Sequence, residues 1–279
     1  ASPCGRIIGE IQRREIYKNL GVVLDSSGTP LPVEKPLRIL AFDIDGNILK
    51  RLGGVWVQDK TGNRRITISN TEYAKVRRLL ADPAFRLGAL PPDEAFEFYR
   101  DYDDPDIFPK QVQKAIDDAL DTEFTGNAWR DYAIAMKHPL SRNASFVLTS
   151  RGHSKKNIRR GLDVLVNNRL TRGSPHEEHI FPMNAAEYDV LFEGVSIPSR
   201  KHLTLEELLD LVEAVPLLHK HQRHRFGMSD DDYDMLRLIE DGLLKGVKTS
   251  RWHRINLFTI HTGLGQEAGL LGGVLRHHL

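Results

Sequence analysis

Residues 37–47 read Leu-Arg-Ile-Leu-Ala-Phe-Asp-Ile-Asp-Gly-Asn, and they carry the strongest structural signal in the chain. The apolar run from Leu37 to Phe42 predicts a short buried strand. Two carboxylates, Asp43 and Asp45, follow it and lead into a Gly-Asn turn signal. Neighbouring carboxylates repel each other and favour a bound cation, and open α/β sheets bind ligands at the carboxyl ends of their strands. The pattern therefore indicates a metal-assisted site in which one aspartate attacks and the next transfers a proton.

The composition is that of a globular protein: 279 residues, of which 40% are hydrophobic and 28% charged. The formal charge of +1 excludes neither nucleic acids nor acidic substrates as partners. The only cysteine, Cys4, leaves no internal disulfide and no thiolate zinc site. No apolar run is long enough to predict a membrane span. We therefore expect no membrane partner and a cytoplasmic location, with a secreted effector as the open alternative.

Strands alternate with helices along most of the chain, which predicts an α/β fold with a mostly parallel sheet in a Rossmann-like three-layer sandwich. After the first strand, core strands are predicted at 145–149, 188–192, 225–228 and 255–261. Helices are predicted between these strands, at 154–166, 203–215 and 234–244.

Residues 51–142 carry no predicted core strand. A β-hairpin over 55–68 and several helical stretches indicate instead a mainly helical cap, inserted after the first core strand. The predicted organisation is a leader and linker over 1–36, a core formed by 37–50 and 143–279, and the cap.

Local signals predict where some elements begin or end. Ser154 is expected to cap the helix over 154–166. Thr204, with Glu207 three residues later, predicts a capping box at the start of the helix over 203–215. Near the carboxyl terminus, His277 and His278 are expected to lie in a frayed tail.

Reactive side chains follow the predicted elements in a fixed order: Asp43 and Asp45, then Thr149, then Lys201 with Arg200 as its adjacent rival, then Asp230 and Asp231. This order resembles the haloacid dehalogenase-like (HAD) hydrolase superfamily. The first motif of that family, Asp-x-Asp, matches 43–45. Its second, an apolar strand ending in Ser or Thr, matches 146–149, and its fourth, an apolar strand ending in an acidic pair, matches 226–231. Its third, a Lys or Arg ahead of a helix, matches Lys201.

The resemblance implies a phosphatase that hydrolyses a phosphate monoester through an aspartyl-phosphate. Asp43 would be the nucleophile, and Asp45 would protonate the leaving group and later activate water. Thr149 would donate its hydroxyl to the phosphoryl oxygens, and Lys201 would neutralise charge on the phosphoryl group and on Asp43. Asn47 departs from the family pattern, in which Thr or Val is common at that position.

The resemblance also implies Mg²⁺ as the cofactor, because the acidic groups form a hard oxygen site. Asp43, the backbone carbonyl of Asp45 and Asp230 would hold the ion, with Asp231 acting through water or Lys201. Directly after Thr149, Ser150 and Arg151 are expected to contact the phosphorylated substrate.

Residues 151–172 hold seven Lys or Arg side chains against one Asp, which would attract a polyanion. A nucleic-acid end phosphatase therefore stays open as an alternative. The acidic stretch over 93–106 is expected to pair with this basic face. A third alternative is a non-catalytic binding or effector module that has kept the fold.

Overall fold

The computed structural model describes residues 7–101, 104–119, 124–263 and 275–279. The strands in this part of the chain are β1 (Arg38–Phe42), β2 (Val55–Asp59), β3 (Arg64–Ile68), β4 (Leu87–Gly88), β5 (Ser145–Thr149), β6 (Ile180–Pro182), β7 (His224–Asp230), β8 (Ile255–His261) and β9 (Leu275–His278). The α-helices are α1 (Glu10–Asn19), α2 (Asn70–Val76), α3 (Pro92–Ala95), α4 (Ile107–Asp117), α5 (Trp129–Lys137), α6 (Pro139–Asn143), α7 (Lys155–Asn167), α8 (Ala186–Leu191), α9 (Ile197–Glu213) and α10 (Tyr233–Lys248).

The main sheet has six strands in the order β6-β5-β1-β7-β8-β9. Every neighbouring pair is parallel except β8 and β9, which are antiparallel. The predicted α/β fold with a mostly parallel sheet is thus confirmed. At the end of β1, Phe42 is in register with Val147 of β5 and with Ser229 of β7. The residues that follow these three strands therefore meet at one edge of the sheet.

Hydrophobic clusters cover both faces of the main sheet. Ala41 and Phe146 belong to one cluster, to which α1, α9 and α10 contribute. Phe42 and Val147, one position further along β1 and β5, belong to a second cluster with α4, α5 and α7. This alternation is what a strand with both faces buried produces, because successive side chains point to opposite faces.

The segment 51–142 contributes to two parts of the molecule. β2, β3 and β4 form a separate antiparallel sheet, and the predicted hairpin is confirmed by the pairing of β2 with β3. By contrast, α4 and α5 share a hydrophobic cluster with β1 and β5 of the main sheet. Phe108 of α4 packs so closely on Gly161 of α7 that a Cβ at this glycine would lie 2.2 Å from the ring.

The predicted strand over 188–192 is wrong. These residues lie in and directly after α8, and the strand next to β5 is instead β6. Tyr188 and Phe192, four positions apart, are both buried, whereas Val190 between them is 87% exposed. This is the spacing of one helix face, and a short apolar run by itself does not distinguish it from a strand.

The predicted capping box is also wrong. The helix begins seven residues earlier than its predicted cap, at Ile197, and Ser196 is its cap, because the Ser196 hydroxyl accepts a hydrogen bond from the Ser199 N–H. Thr204 is buried inside α9. The Glu207 carboxylate accepts a hydrogen bond from the Ile7 N–H at 2.7 Å, so it connects the first described residue to α9. By contrast, Ser154 caps α7 as predicted.

Both ends of the described chain pack on the core. In the predicted leader, the Tyr17 hydroxyl of α1 donates to the Leu211 carbonyl at 2.7 Å, and the Tyr17 side chain is buried. His277 and His278 belong to β9 and pair with β8, so the expected frayed tail is wrong. Cys4 lies outside the described residues. No helix in the described ranges is both long and apolar enough to cross a lipid bilayer.

Candidate active site

The predicted reactive residues meet at the carboxyl edge of the main sheet. Asp43 directly follows β1, Thr149 is the last residue of β5, and Asp230 is the last residue of β7. Lys201 lies near the start of α9, which packs beside β7. This convergence follows from the parallel register, because parallel strands present their carboxyl ends at the same edge.

Asp43, Lys201, Asp230 and Asp231 form one cluster, called here the lysine cluster. The Lys201 ammonium donates to Asp43 Oδ1 and to Asp230 Oδ2, each at 3.0 Å. The Lys201 side chain is only 1% exposed, so both ion pairs are removed from water. The Asp231 carboxylate lies close to those of Asp43 and Asp230, so the cluster holds three carboxyl groups and one ammonium.

The structure shows that Lys201, and not the adjacent Arg200, contacts the carboxylates at the strand ends. The Arg200 guanidinium donates to the Met183 carbonyl at 2.9 Å and to Asp189 Oδ1 at 2.7 Å, away from the lysine cluster. Successive residues on an α-helix differ by about 100° in direction, so only one of two neighbours can face the strand ends. That residue is Lys201.

The lysine cluster has the donor chemistry of a divalent-cation site. Asp43, Asp230 and Asp231 each offer a carboxylate oxygen, and these atoms lie within 4.8 Å of one another. Hard carboxylate oxygens suit Mg²⁺ or Ca²⁺. Asp231 was expected to act only through water or Lys201, but its carboxylate belongs to the same group of three as the other two. The donor set fits a divalent cation without selecting one metal.

Burial makes the charged forms of Asp43 and Asp231 unfavourable. It raises the pKa of Asp43 to about 8; the nearby Lys201 opposes this shift, and Asp230 adds to it. Burial and the neighbouring Asp230 raise the pKa of Asp231 well above its usual range. Burial opposes a raised pKa at Lys201, but Asp230 and Asp43 outweigh it, so the pKa of the ammonium is raised. A bound cation would relieve the repulsion between these carboxylates.

Gly46 explains how Asp231 comes so close to β1. Its φ is +76°, a left-handed conformation that glycine adopts without a steric penalty. A Cβ at this position would lie 2.1 Å from Asp231 Oδ2. The glycine of the predicted Gly-Asn turn therefore makes room for Asp231, which directly follows β7.

Asn47, which departs from the family pattern, joins three strand ends. Its side-chain amide donates to the Asp43 carbonyl at 3.1 Å and to Ser229 Oγ at 2.9 Å. Its side-chain oxygen accepts from the Thr262 hydroxyl at 2.6 Å. The side chain is fully buried. Sequence reasoning missed this role, because nothing local marks an asparagine whose partners lie far away in the chain.

Asp45 belongs to a second cluster, which we call the arginine cluster: Asp45, Arg151, Asn70, Tyr99 and Gln111. Arg151 donates to both Asp45 oxygens at 2.7 Å through its Nε and Nη2. Asn70 donates to Asp45 Oδ1 at 3.0 Å, and the Tyr99 hydroxyl donates to the Asn70 side-chain oxygen. A bidentate pair of this kind fixes the orientation of the carboxylate and also places a positive charge beside it.

Arg151 is enclosed by groups from the segment 51–142. Its guanidinium carbon lies 4.5 Å from the Tyr99 ring centre and 4.9 Å from that of Phe108. It also donates to Gln111 Oε1 at 2.8 Å and to the Leu52 carbonyl at 3.0 Å. The side chain is 0% exposed. Arg151 was expected to contact substrate, and in the structure its guanidinium instead contacts Asp45 and these neighbours.

A cavity of about 400 Å³ opens above both clusters. Asp43, Asp45, Lys201, Asp230 and Asp231 line it on one side. Ser150 also lines it, as expected of a substrate contact. Thr149 is buried, and its hydroxyl oxygen accepts a hydrogen bond from the Arg151 N–H at 3.2 Å.

The basic run after Thr149 is largely paired within the protein. Lys155 contacts Glu178 at 3.2 Å, Arg159 contacts Asp163 at 3.0 Å, and Arg160 contacts Asp106. The last pair confirms that the acidic stretch meets the basic face.

A second contact between the two segments lies at the start of α7. Asp101 accepts hydrogen bonds from the Ser154 N–H at 2.7 Å and from the Asn157 side chain at 2.8 Å. It also contacts His153 Nδ1 at 2.9 Å. The acidic stretch thus connects the segment 51–142 to α7 through hydrogen bonds and an ion pair.

Comparisons of the chain with family models, with curated proteins and with solved structures found no match.

Proposed function

We propose that the protein is a Mg²⁺-dependent phosphatase that hydrolyses a phosphate monoester through an aspartyl-phosphate on Asp43. The single observation that carries this proposal is the lysine cluster, in which Asp43, Lys201 and the acidic pair meet at one strand edge below a cavity. Asp45 lies two residues beyond Asp43 and lines the same cavity, where an acid or base is needed. Together these residues match the motif order of HAD-like hydrolases, and we propose membership of that superfamily.

The same proposal covers the finer architecture. The central position of β1, with β5 and β6 on one side and β7 and β8 on the other, supports a Rossmann-like sandwich. The separate sheet of β2, β3 and β4 would be the cap, since residues of this segment line the cavity opposite the strand ends. In this interpretation α4 and α5 belong to the core, because they share its second hydrophobic cluster.

In the first step, an oxygen of Asp43 attacks phosphorus and the bond to the leaving oxygen breaks, while Asp45 gives that oxygen a proton. In the second step, Asp45 takes a proton from water, the water oxygen attacks phosphorus, and the Asp43 carboxylate leaves. The products are an alcohol and inorganic phosphate. Lys201 neutralises charge next to Asp43 throughout.

Arg151 serves this mechanism as a positioning residue. Its fork holds both oxygens of Asp45, so the carboxylate has one orientation. Asp43, Asp230 and Asp231, with the Asp45 backbone carbonyl, would hold Mg²⁺, which would supply positive charge to the phosphoryl oxygens.

The test is to trap the intermediate. The Asp45→Asn variant lacks the base of the second step. Phosphate should therefore accumulate on the protein when Mg²⁺ and p-nitrophenyl phosphate, whose leaving group needs no proton, are added. Peptide mass analysis should place the added phosphate on Asp43. The double variant Asp43→Asn, Asp45→Asn is the matched control and should carry none. Phosphate on another residue would contradict the proposal. Absence of hydrolysis of any ester by the wild type would also contradict it and would favour the non-catalytic module.

The nucleic-acid alternative has less support. The basic side chains that suggested it, Lys155, Arg159 and Arg160, contact carboxylates of this chain. Arg151 is buried against Asp45. A polyanion would therefore have to compete with existing ion pairs for these four cations.

A further inference from the structure

The cavity above the lysine cluster has an aromatic wall that phosphoryl transfer itself does not need. Phe96 lies edge-on to Tyr73, with ring centres 5.5 Å apart, and edge-on to Tyr99, with ring centres 5.8 Å apart. All three rings line the cavity. Edge-to-face contacts hold aromatic rings in defined orientations, so this wall is a preformed surface for another flat group.

Apolar side chains from three other elements also line the cavity. Ile197 and Pro198 come from the start of α9, Met235 from α10 and Val55 from β2. A ligand held with its phosphoryl group at Asp43 would place the rest of its atoms against these side chains and the aromatic wall. Burial of a ring there would remove apolar area from water.

The charges around the cavity disfavour a second anionic group on the ligand. Among the described residues that line it, Lys201 and Arg77 are the positively charged ones. Lys201 already pairs with Asp43 and Asp230. Arg77 pairs with Asp232 at 3.1 Å and with Asp234 at 3.3 Å. An additional phosphate or carboxylate would therefore meet carboxylates rather than an available cation.

From these three observations we infer that the substrate is a small phosphate monoester whose leaving alcohol carries one uncharged ring. The inference rests on the proposed function. The volume of about 400 Å³ is that of a small-molecule pocket. Diphosphates, sugar bisphosphates and nucleic-acid ends are disfavoured by their extra negative charge.

The test compares substrates that differ only in the ring. Benzyl phosphate and ethyl phosphate both release a primary alcohol, so leaving-group chemistry is nearly matched. With Mg²⁺ present, kcat/KM should be at least about tenfold higher for benzyl phosphate, because its ring is buried in the complex. Replacing benzyl phosphate by 4-carboxybenzyl phosphate should remove this advantage, since the added carboxylate meets Asp232 and its neighbours.

Two variants assign the preference to the aromatic wall. Phe96→Ala should bring the benzyl-to-ethyl ratio close to one. Both esters are measured on one preparation, so any unfolded fraction cancels from the ratio, and circular dichroism checks the fold. Phe96→Leu should keep part of the preference, because it retains apolar bulk. Phe98→Ala is the matched control, since Phe98 packs on Trp56 and not on the cavity, and it should keep the ratio.

Binding provides a readout that does not depend on turnover. Benzylphosphonate and ethylphosphonate cannot be hydrolysed, and calorimetry in the presence of Mg²⁺ should show at least about tenfold tighter binding of the benzyl compound. Equal kcat/KM values for the two esters, in an activity lost in Asp43→Asn, would overturn the ring inference and leave the proposed function standing. Preferential binding that depends on Phe96, without hydrolysis of any ester, would overturn the function and support the ring site. If the protein hydrolyses no ester and shows no preferential binding of benzylphosphonate, both the proposed function and the ring inference are overturned.

Discussion

The two clusters at the cavity start from the same strand end but are built in opposite ways. Asp43 and Asp45 are two residues apart after β1. Asp43 joins the lysine cluster, whose members come from the ends of β1 and β7 and from α9. Asp45 joins the arginine cluster, whose other members come from the turn after β5 and from the segment 51–142.

The difference lies in charge balance. Within the lysine cluster the Lys201 ammonium pairs with two buried carboxylates, Asp43 and Asp230, and a third carboxylate, Asp231, lies beside them, so the group favours an added cation. Within the arginine cluster one carboxylate meets one guanidinium, and the remaining partners are neutral. The first arrangement suits a site where charge moves during a reaction. The second suits a site where one carboxylate must keep its orientation.

The largest effect is expected in the lysine cluster, from Asp43→Asn. This change removes the oxygen that we propose attacks phosphorus, while it keeps the shape of the side chain, so turnover should fall by at least about 10⁴-fold. Initial rates with Mg²⁺ measure it, and circular dichroism checks the fold. Asp117→Asn, on the exposed side of α4, is the matched control. Turnover of Asp43→Asn within tenfold of wild type would show that another residue attacks.

A smaller but diagnostic effect is expected in the arginine cluster, from Arg151→Lys. Lysine is a point charge and cannot replace the fork that holds both Asp45 oxygens. The loss of turnover should reach about 10²-fold for alkyl phosphates, whose leaving group needs a proton, and should be smaller for p-nitrophenyl phosphate.

Because both substrates are measured on one preparation of Arg151→Lys, any unfolded fraction cancels from their ratio. The Mg²⁺ concentration for half-maximal activity should not change. If both substrates lose the same factor, the arginine only supports the fold, and the proposed division between the two clusters fails.

The metal requirement distinguishes the members of the acidic pair. Asp230→Ala should raise the Mg²⁺ concentration for half-maximal activity by about 10–100-fold, and by more than Asp231→Ala does. Removal of Asp230 takes away a proposed metal ligand and also a partner of Lys201, whose ammonium would then repel the ion more strongly. Activity titrated with Mg²⁺ measures this. An unchanged requirement in Asp230→Ala would place the metal elsewhere.

The smallest effect is expected from Asn70→Ala. Asn70 supplies one neutral hydrogen bond to Asp45, whereas Arg151 supplies two charge-assisted ones. Loss of about 1 kcal/mol corresponds to roughly a fivefold decrease in turnover. Steady-state kinetics on alkyl phosphates would measure it. A decrease as large as that of Arg151→Lys would mean that the hydrogen bond from Asn70, rather than the guanidinium, orients Asp45.

Much of the lysine cluster is predictable from the sequence because its signals are local. An apolar run followed by acidic residues marks the end of a buried strand, and this pattern is sufficient to locate Asp43 and Asp230. The parallel arrangement then follows from the alternation of strands and helices. The same reasoning wrongly predicts a strand at 188–192, because a short apolar run also fits one face of a helix.

The amino-acid sequence alone specifies the α/β class, the strand ends that carry Asp43, Thr149 and Asp230, and the chemistry that these side chains offer. Periodicity and strand ends are properties of neighbouring residues, so a single chain displays them. That Lys201 rather than Arg200 faces the carboxylates is visible only in the folded protein, because it depends on how α9 is rotated against β7. The same holds for the pairing of Arg151 with Asp45 across 106 positions of the chain, since no local pattern encodes a contact that folding brings together.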